Sequence, residues 1–156
     1  MKADVNIKHF SAHRLSVEGL KAHLMMLESM YGFNADGVLL DYMDLLMMPT
    51  HIRDEVKQLT WVGEELRALA EERHLALWTA TQTNRLGGTK QTAMMEDISG
   101  DYMKNATADV VISLNQTEKE QMEDVMRWFY MKNRAGKKHQ TFTVVTDFDR
   151  SRFEAA

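Results

Sequence analysis

At 156 residues the chain fits one domain with room for a real core. Its 27% charged and 44% hydrophobic residues are ordinary for a globular protein, and a formal charge of −4 argues against a generally basic nucleic-acid binder while leaving room for a local basic patch. The absence of cysteine excludes a disulfide framework, thiolate metal ligation and a thiol nucleophile. No apolar run approaches the roughly 20 residues of a membrane span, and no signal-peptide pattern opens the chain. The 13 methionines fit a role as fillers of irregular gaps in the core.

In chain order, Lys2–Phe10 sets Val5, Ile7 and, out of phase, Phe10 among polar residues and reads as a short edge strand. His9 and His13 flank its end. No further ligands stand at zinc-site spacing, so they read as solvated loop histidines. Ser16 is an N-cap residue type. Leu20, Leu24, Leu27 and Tyr31 then follow at helical spacing, and Gly32 suits the helix end.

Gly37–Leu46, GVLLDYMDLL, is the centre of the chain. A short apolar run of this kind reads as a strand buried on both faces, as in parallel sheets. Strand, helix and strand in this order predict a right-handed crossover with parallel strands. Asp41 stands where the apolar run stops, and Asp44 follows. The carboxyl end of such a strand is where open α/β sheets bind ligands. An acid there is either a plain polar strand end or a carboxylate that organises Mg²⁺.

A long helix is expected from about Ile52 to Glu72, with Ile52, Val56, Leu59, Val62, Leu66 and Leu69 on its buried face. Its charged face, Arg53 included, reads mainly as solvated. His74–Thr83, HLALWTATQT, is a second buried strand leading to Gln82. The polar, glycine-containing stretch Asn84–Gln91 after it is a binding loop by position. Ala93–Asn105 is read as a short helix, Ala108–Leu114 as a third strand and Asn115–Asp124 as a charged connection. Val125–Lys132 and Thr141–Phe148 flank the Gly- and Lys-rich Asn133–Gln140 and predict an antiparallel hairpin. Taken locally, its basic residues Lys132, Arg134, Lys137 and Lys138 read as a solvated turn. The tail after Asp149 is expected to fray.

Taken together, GVLLDYMDLL, ELRALAEERHLALWTATQTNR, DISGDYMKNATADVVISLNQT and MRWFYMKNRAGKK resemble one family. They look like the C-terminal half of the RecA-type ATPase core of DnaB-like replicative DNA helicases, most of all its phage branch. The resemblance spans about Asp4 to Asp149 and rests on the order and spacing of five elements. It implies a single α/β domain over 1–156 with a mainly parallel RecA-like sheet, flanking helices and a C-terminal antiparallel hairpin. It lacks the phosphate-loop strand.

On this resemblance Asp41 matches the Walker B aspartate, which organises Mg²⁺ and water at the nucleotide, and Gln82 the glutamine that senses the γ-phosphate. Lys132 and Arg134 match the hairpin pair that reaches a neighbouring subunit's nucleotide. That match reverses the local reading of the hairpin. Arg85 and Lys90, with Arg53 as a weaker third, are the implied phosphate contacts for single-stranded DNA. Such contacts would be salt-sensitive and without base readout.

The cofactors implied are ATP and Mg²⁺ in the parent protein, with none held tightly by this chain alone. The partners implied are single-stranded DNA, further copies of the chain (a hexamer in the parent, a dimer or other self-association here) and a primase or helicase loader, with no membrane. The cytoplasm of a bacterial or phage-infected bacterial cell is the implied location.

No G-x-x-x-x-G-K-[ST] occurs: Gly87-Gly88-Thr89-Lys90 has neither its spacing nor its order. The family's catalytic glutamate also belongs upstream of the matched segment. The expectation is therefore a fragment or a natural truncation, inactive alone, with a gap in its sheet that closes by rearrangement or self-association. A non-catalytic RecA-like assembly module docking on an ATPase is the alternative. A recombinase or circadian-type ATPase of the same superfold is a third option. The KNR hairpin and the Asp-Tyr after the central strand favour the helicase.

Overall fold

The computed structural model describes residues 4–82, 92–94, 107–137 and 139–155. Ser16 opens helix α1 (Val17–Tyr31): its backbone is extended and its Oγ accepts the Gly19 N–H at 3.0 Å. Gly32, at φ 63°, closes the helix in the left-handed conformation that glycine adopts without Cβ strain. Val17, Leu20, Leu24 and Leu27 form the buried face.

Strand β1 (Gly37–Leu40) pairs in parallel with β2 (Ala76–Thr79), Gly37 opposite Ala76 and Leu40 opposite Thr79. A Cβ on Gly37 would stand 3.2 Å from the Ala76 carbonyl oxygen, so the close approach of the strands favours glycine there. Helix α2 (Glu55–Arg73) is the crossover between them. Asp54 caps it by accepting the Lys57 N–H at 2.9 Å, and His74 closes it at φ 51°.

The chain divides into two compact units, 1–80 and 81–156. The core of the first is built by Leu15, Leu20, Leu24, Met43, Val62 and Leu66, with their neighbours on the same elements. Fully burying each such side chain contributes roughly 1.5–3 kcal/mol. Lys21–Glu72 (2.7 Å) and Arg73–Glu28 (2.6 Å) join α1 to α2 at its partly exposed edge.

The second unit is an antiparallel sheet in the order β3 (Val110–Asn115), β4 (Val125–Asn133), β5 (Thr141–Asp147), β6 (Arg152–Ala155). The register of β3 on β4 shifts between Val111 and Ile112. Helix α3 (Glu118–Met122) joins β3 to β4. Among the described residues, β2 pairs only with β1 and β3 only with β4, so each ends its own sheet. Among the described residues the parallel part of the fold is therefore two strands.

Several expectations need correction. No strand forms over 4–10; Val5 and Ile7 are 75% and 90% exposed, and no strand takes up their alternation. The parallel crossover is thus β1–α2–β2, not one entered from residues 2–10. The following segment runs instead beside the turn after β1: His13 N–H donates to the Leu45 carbonyl and Met47 N–H to that of Leu15, each at 2.8 Å. The charged connection contains α3, because Thr117 and Glu120 form a reciprocal capping box. The tail does not fray but forms β6, with Val145 opposite Glu154 and Asp147 opposite Arg152. The helix expected over 93–105 lies outside the described residues from 95 on, and Ala93 and Met94 are not helical. No helix among the described residues is long and apolar enough to cross a membrane.

Candidate nucleotide and DNA site

Asp41 directly follows β1 and is exposed, its peptide bond to Tyr42 cis. The chain then enters a short 3-10 turn, Met43–Leu45, which carries Asp44 and buries Met43. Thr79, the last residue of β2, fastens this turn. Its Oγ1 donates to the Leu40 carbonyl at 3.0 Å and accepts the Met43 N–H at 2.9 Å. One hydroxyl thus bridges the backbone on both sides of Asp41 and ties it to the carboxyl end of the neighbouring strand. Sequence reasoning misses Thr79. The signal that could have found it is a hydroxyl residue ending the strand that pairs with the acid-ended one.

Gln82 is exposed and stands three residues past Thr79 in the chain. Arg53 is exposed immediately before the N-cap of α2. Arg85 and Lys90 lie outside the described residues. His13 directs Nδ1 at the Leu46 carbonyl, 3.2 Å away. Among the described residues no three His, Asp or Glu side chains are grouped to hold a metal ion.

The hairpin residues form a second group. Lys132 is half-buried on β4 opposite Val111 of β3. Arg134 follows the strand and is held twice by Asp109: its N–H donates to the Asp109 carbonyl at 2.9 Å, and Nη1 lies 2.9 Å from Oδ1. Both side chains of that ion pair are nearly 60% exposed, so the pair contributes at most about 1 kcal/mol. The guanidinium sits at the surface rather than in the core. The structure thus gathers Asp41 with Thr79 in the first unit, and Lys132 and Arg134 beside the start of β3 in the second.

An acid-ended parallel strand, a crossover helix and a second strand, followed in the chain by an antiparallel sheet with a basic hairpin, define an α/β fold of the RecA type. The chain belongs to the DnaB-like helicase C terminal domain family, which it matches over residues 2–155. Among solved structures it is similar to an ATPase domain, with a TM-score of 0.79 and 18% identity; the match covers 91% of this chain and 52% of that one. It is also similar to a DnaB-like replicative helicase studied with its interactions with primase, with a TM-score of 0.78 and 16% identity, covering 90% and 35%. The chain thus spans about half of the first structure and about a third of the second. No curated protein matches the sequence.

Proposed function

We propose that this chain is the C-terminal half of the motor domain of a hexameric, ATP-dependent replicative helicase, in which ATP hydrolysis is coupled to movement along single-stranded DNA. The observation that carries the reading is the exposed Asp41 at the carboxyl end of β1, pinned through Thr79, in a chain matched by the helicase family over residues 2–155. Mg²⁺ retains several waters and takes one or two carboxylates plus substrate phosphates. A single exposed carboxylate on a fastened turn fits that need, and a three-ligand cage is not required. Bound ATP would supply the transferable phosphoryl group.

Each residue then has a task. Asp41 holds the Mg²⁺ and its water shell. Gln82 senses the γ-phosphate, and the segment after it, with Arg85 and Lys90, meets DNA phosphates; Arg53 adds to that charge. Lys132 and Arg134 reach the nucleotide of the adjacent subunit. A guanidinium there meets the charge of the transferring phosphoryl group without reorganising and is worth about 10³–10⁵ in turnover. The phosphate-binding loop and the general base belong to the rest of the motor domain, so the 156-residue chain alone has no ATPase activity and self-associates. A primase or loader is the further partner of the whole protein.

The test is to add the chain to the longer helicase that this reading assigns it to and to follow DNA-stimulated ATPase activity. A dose-dependent change is expected, and it is abolished by Arg134→Ala. No effect from the folded chain would favour a non-catalytic interaction module. Multiple-turnover activity of the chain alone that disappears on Asp41→Ala would overturn the expected inactivity.

A further inference from the structure

Strand β6 ends the antiparallel sheet. Among the described residues it pairs only with β5, and every residue of Arg152–Ala155 is exposed. Alternate residues of such a strand turn their N–H and C=O groups outward, where a further strand can meet them. Charged side chains are the usual guard of an edge. β6 carries two of opposite sign: Arg152 and Glu154 stand on one face of the strand and form an exposed ion pair with each other. Phe153 stands on the other face.

Charges of opposite sign do not block an edge; they select what it accepts. Consider β6 set antiparallel to the β6 of a second copy, with Phe153 opposite Phe153. Arg152 of each copy then faces Glu154 of the other, and unlike charges directly opposite attract across strands. A slip of two residues puts Arg152 on Arg152 or Glu154 on Glu154. A slip of one puts Phe153 of one copy on a charge of the other. Parallel pairing in register sets like charge beside like. One register of a self-pair is thus favoured and its neighbours are not.

The rest of the sheet agrees with that register. On β5, Asp147 stands opposite Arg152, so each Arg152 would lie between two carboxylates, Asp147 of its own copy and Glu154 of the other. On the opposite face, the Phe153 ring lies 6.0 Å from that of Trp128 and 6.2 Å from that of Phe148, centre to centre. Phe153 and Phe148 nevertheless remain 46% and 54% exposed. A two-fold axis normal to the sheet keeps this face on the same side in both copies. The two Phe153 rings would meet there and join both aromatic groups into one apolar patch.

We propose that the outer edge of β6 pairs with β6 of a second copy of this chain, in the register that sets Phe153 opposite Phe153. The two four-stranded sheets become one continuous sheet. The contact is two-fold and closes on itself as a dimer. It is therefore separate from a head-to-tail contact by which Lys132 and Arg134 would reach a neighbour, and it stands whether or not that reading holds. Four residues from each copy make a small interface, so the pairing is weak and depends on concentration.

The experiment is sedimentation equilibrium of the full 156-residue chain over about a hundredfold range of concentration. It is run on the unaltered chain and on Trp78→Lys, which places a charge on the edge of β2. Both should pass from monomer to dimer. On the Trp78→Lys background, Glu154→Arg and Arg152→Glu each set like charges opposite one another across the joint. Each should weaken the dimer about tenfold, with folding checked by circular dichroism. An equimolar mixture of the two reversed variants restores unlike pairs and should give a dimer at concentrations where neither associates alone.

A chain that stays monomeric throughout overturns the proposal. So does association that Glu154→Arg leaves unchanged, or association that Trp78→Lys abolishes, which would place the contact at β2. A mixture of folded variants that stays monomeric overturns the register. Arg152→Glu also sets an acid opposite Asp147; should it fail to fold, Glu154→Arg decides alone.

Discussion

Glu120 serves two structures at once. One oxygen accepts the Thr117 N–H at 2.7 Å and completes the capping box of α3, while both oxygens bind the Arg127 guanidinium. The hydrogen bond from Arg127, then that from the Thr117 N–H, holds its carboxyl down from 4.5 to about 2. A carboxylate with a lowered folded-state pKa adds stability that is complete above its ordinary value. That stability is lost as pH falls from about 5 through the folded value. Glu120→Gln should therefore melt below the unaltered chain at pH 7, and the two melting curves should converge near pH 2. Curves separated equally at both values would refute the assignment. The sequence carries a signal here that a charged connection understates: Thr117-x-x-Glu120 is a capping-box pattern at the start of a helix. The partner Arg127 lies beyond sequence reasoning, since nothing local says which acid a strand arginine will meet. Arg134 is the opposite case. Its role is read through the KNR resemblance, while Asp109, which holds it in this chain, requires the β3–β4 register. Arg134→Ala should change stability by less than about 1 kcal/mol in thermal melts, so a loss of effect in the mixing assay would report on the guanidinium rather than on the fold.

Among the elements, those with chemical end signals are the legible ones. Ser16 and Gly32 bracket α1 where expected, and the Gly- and Lys-rich stretch separates β4 from β5. At the two ends of the chain, where pairing with a distant partner decides, the sequence misleads. Residues 4–10 show alternation but no strand, because the pairing they would need is not made. β6, Arg-Phe-Glu-Ala, alternates over only four residues at the end of the chain, too short a run to read as a strand, and forms because β5 supplies the partner backbone. The end of α2 offers a direct test of local chemistry. His74 occupies the left-handed region at φ 51°, where a Cβ costs about 1–2 kcal/mol. Replacing it with glycine relieves that strain, offset by glycine's greater entropy when unfolded. His74→Gly is expected to raise stability by a few tenths to about 1 kcal/mol, measured by urea unfolding. A loss of stability would mean that the imidazole contributes more than its backbone strain costs.

At the scale of the whole molecule, each unit has its own sheet, and each sheet stops at a strand with one unpaired side among the described residues. The acid that ends the β1 run is legible in the sequence, whereas the part played by Thr79 at the end of β2 is not, because its bonds to Leu40 and Met43 depend on how the two strands pair. The division into two sheets is not, since it depends on which strands find partners. β2 reads Ala-Leu-Trp-Thr, without charge or proline, and Trp78 is 59% exposed opposite Leu39, which is 86% exposed. Natural edge strands are guarded by lysine, proline or a bulge, and this one carries none of them. The practical consequence concerns handling: produced by itself, the chain presents among its described residues an adhesive edge without these guards and should be lost to inclusion bodies as expression temperature rises. A gatekeeper charge, Trp78→Lys, should raise the soluble yield without altering the Asp41 turn. An unchanged soluble fraction would move the liability elsewhere in the chain.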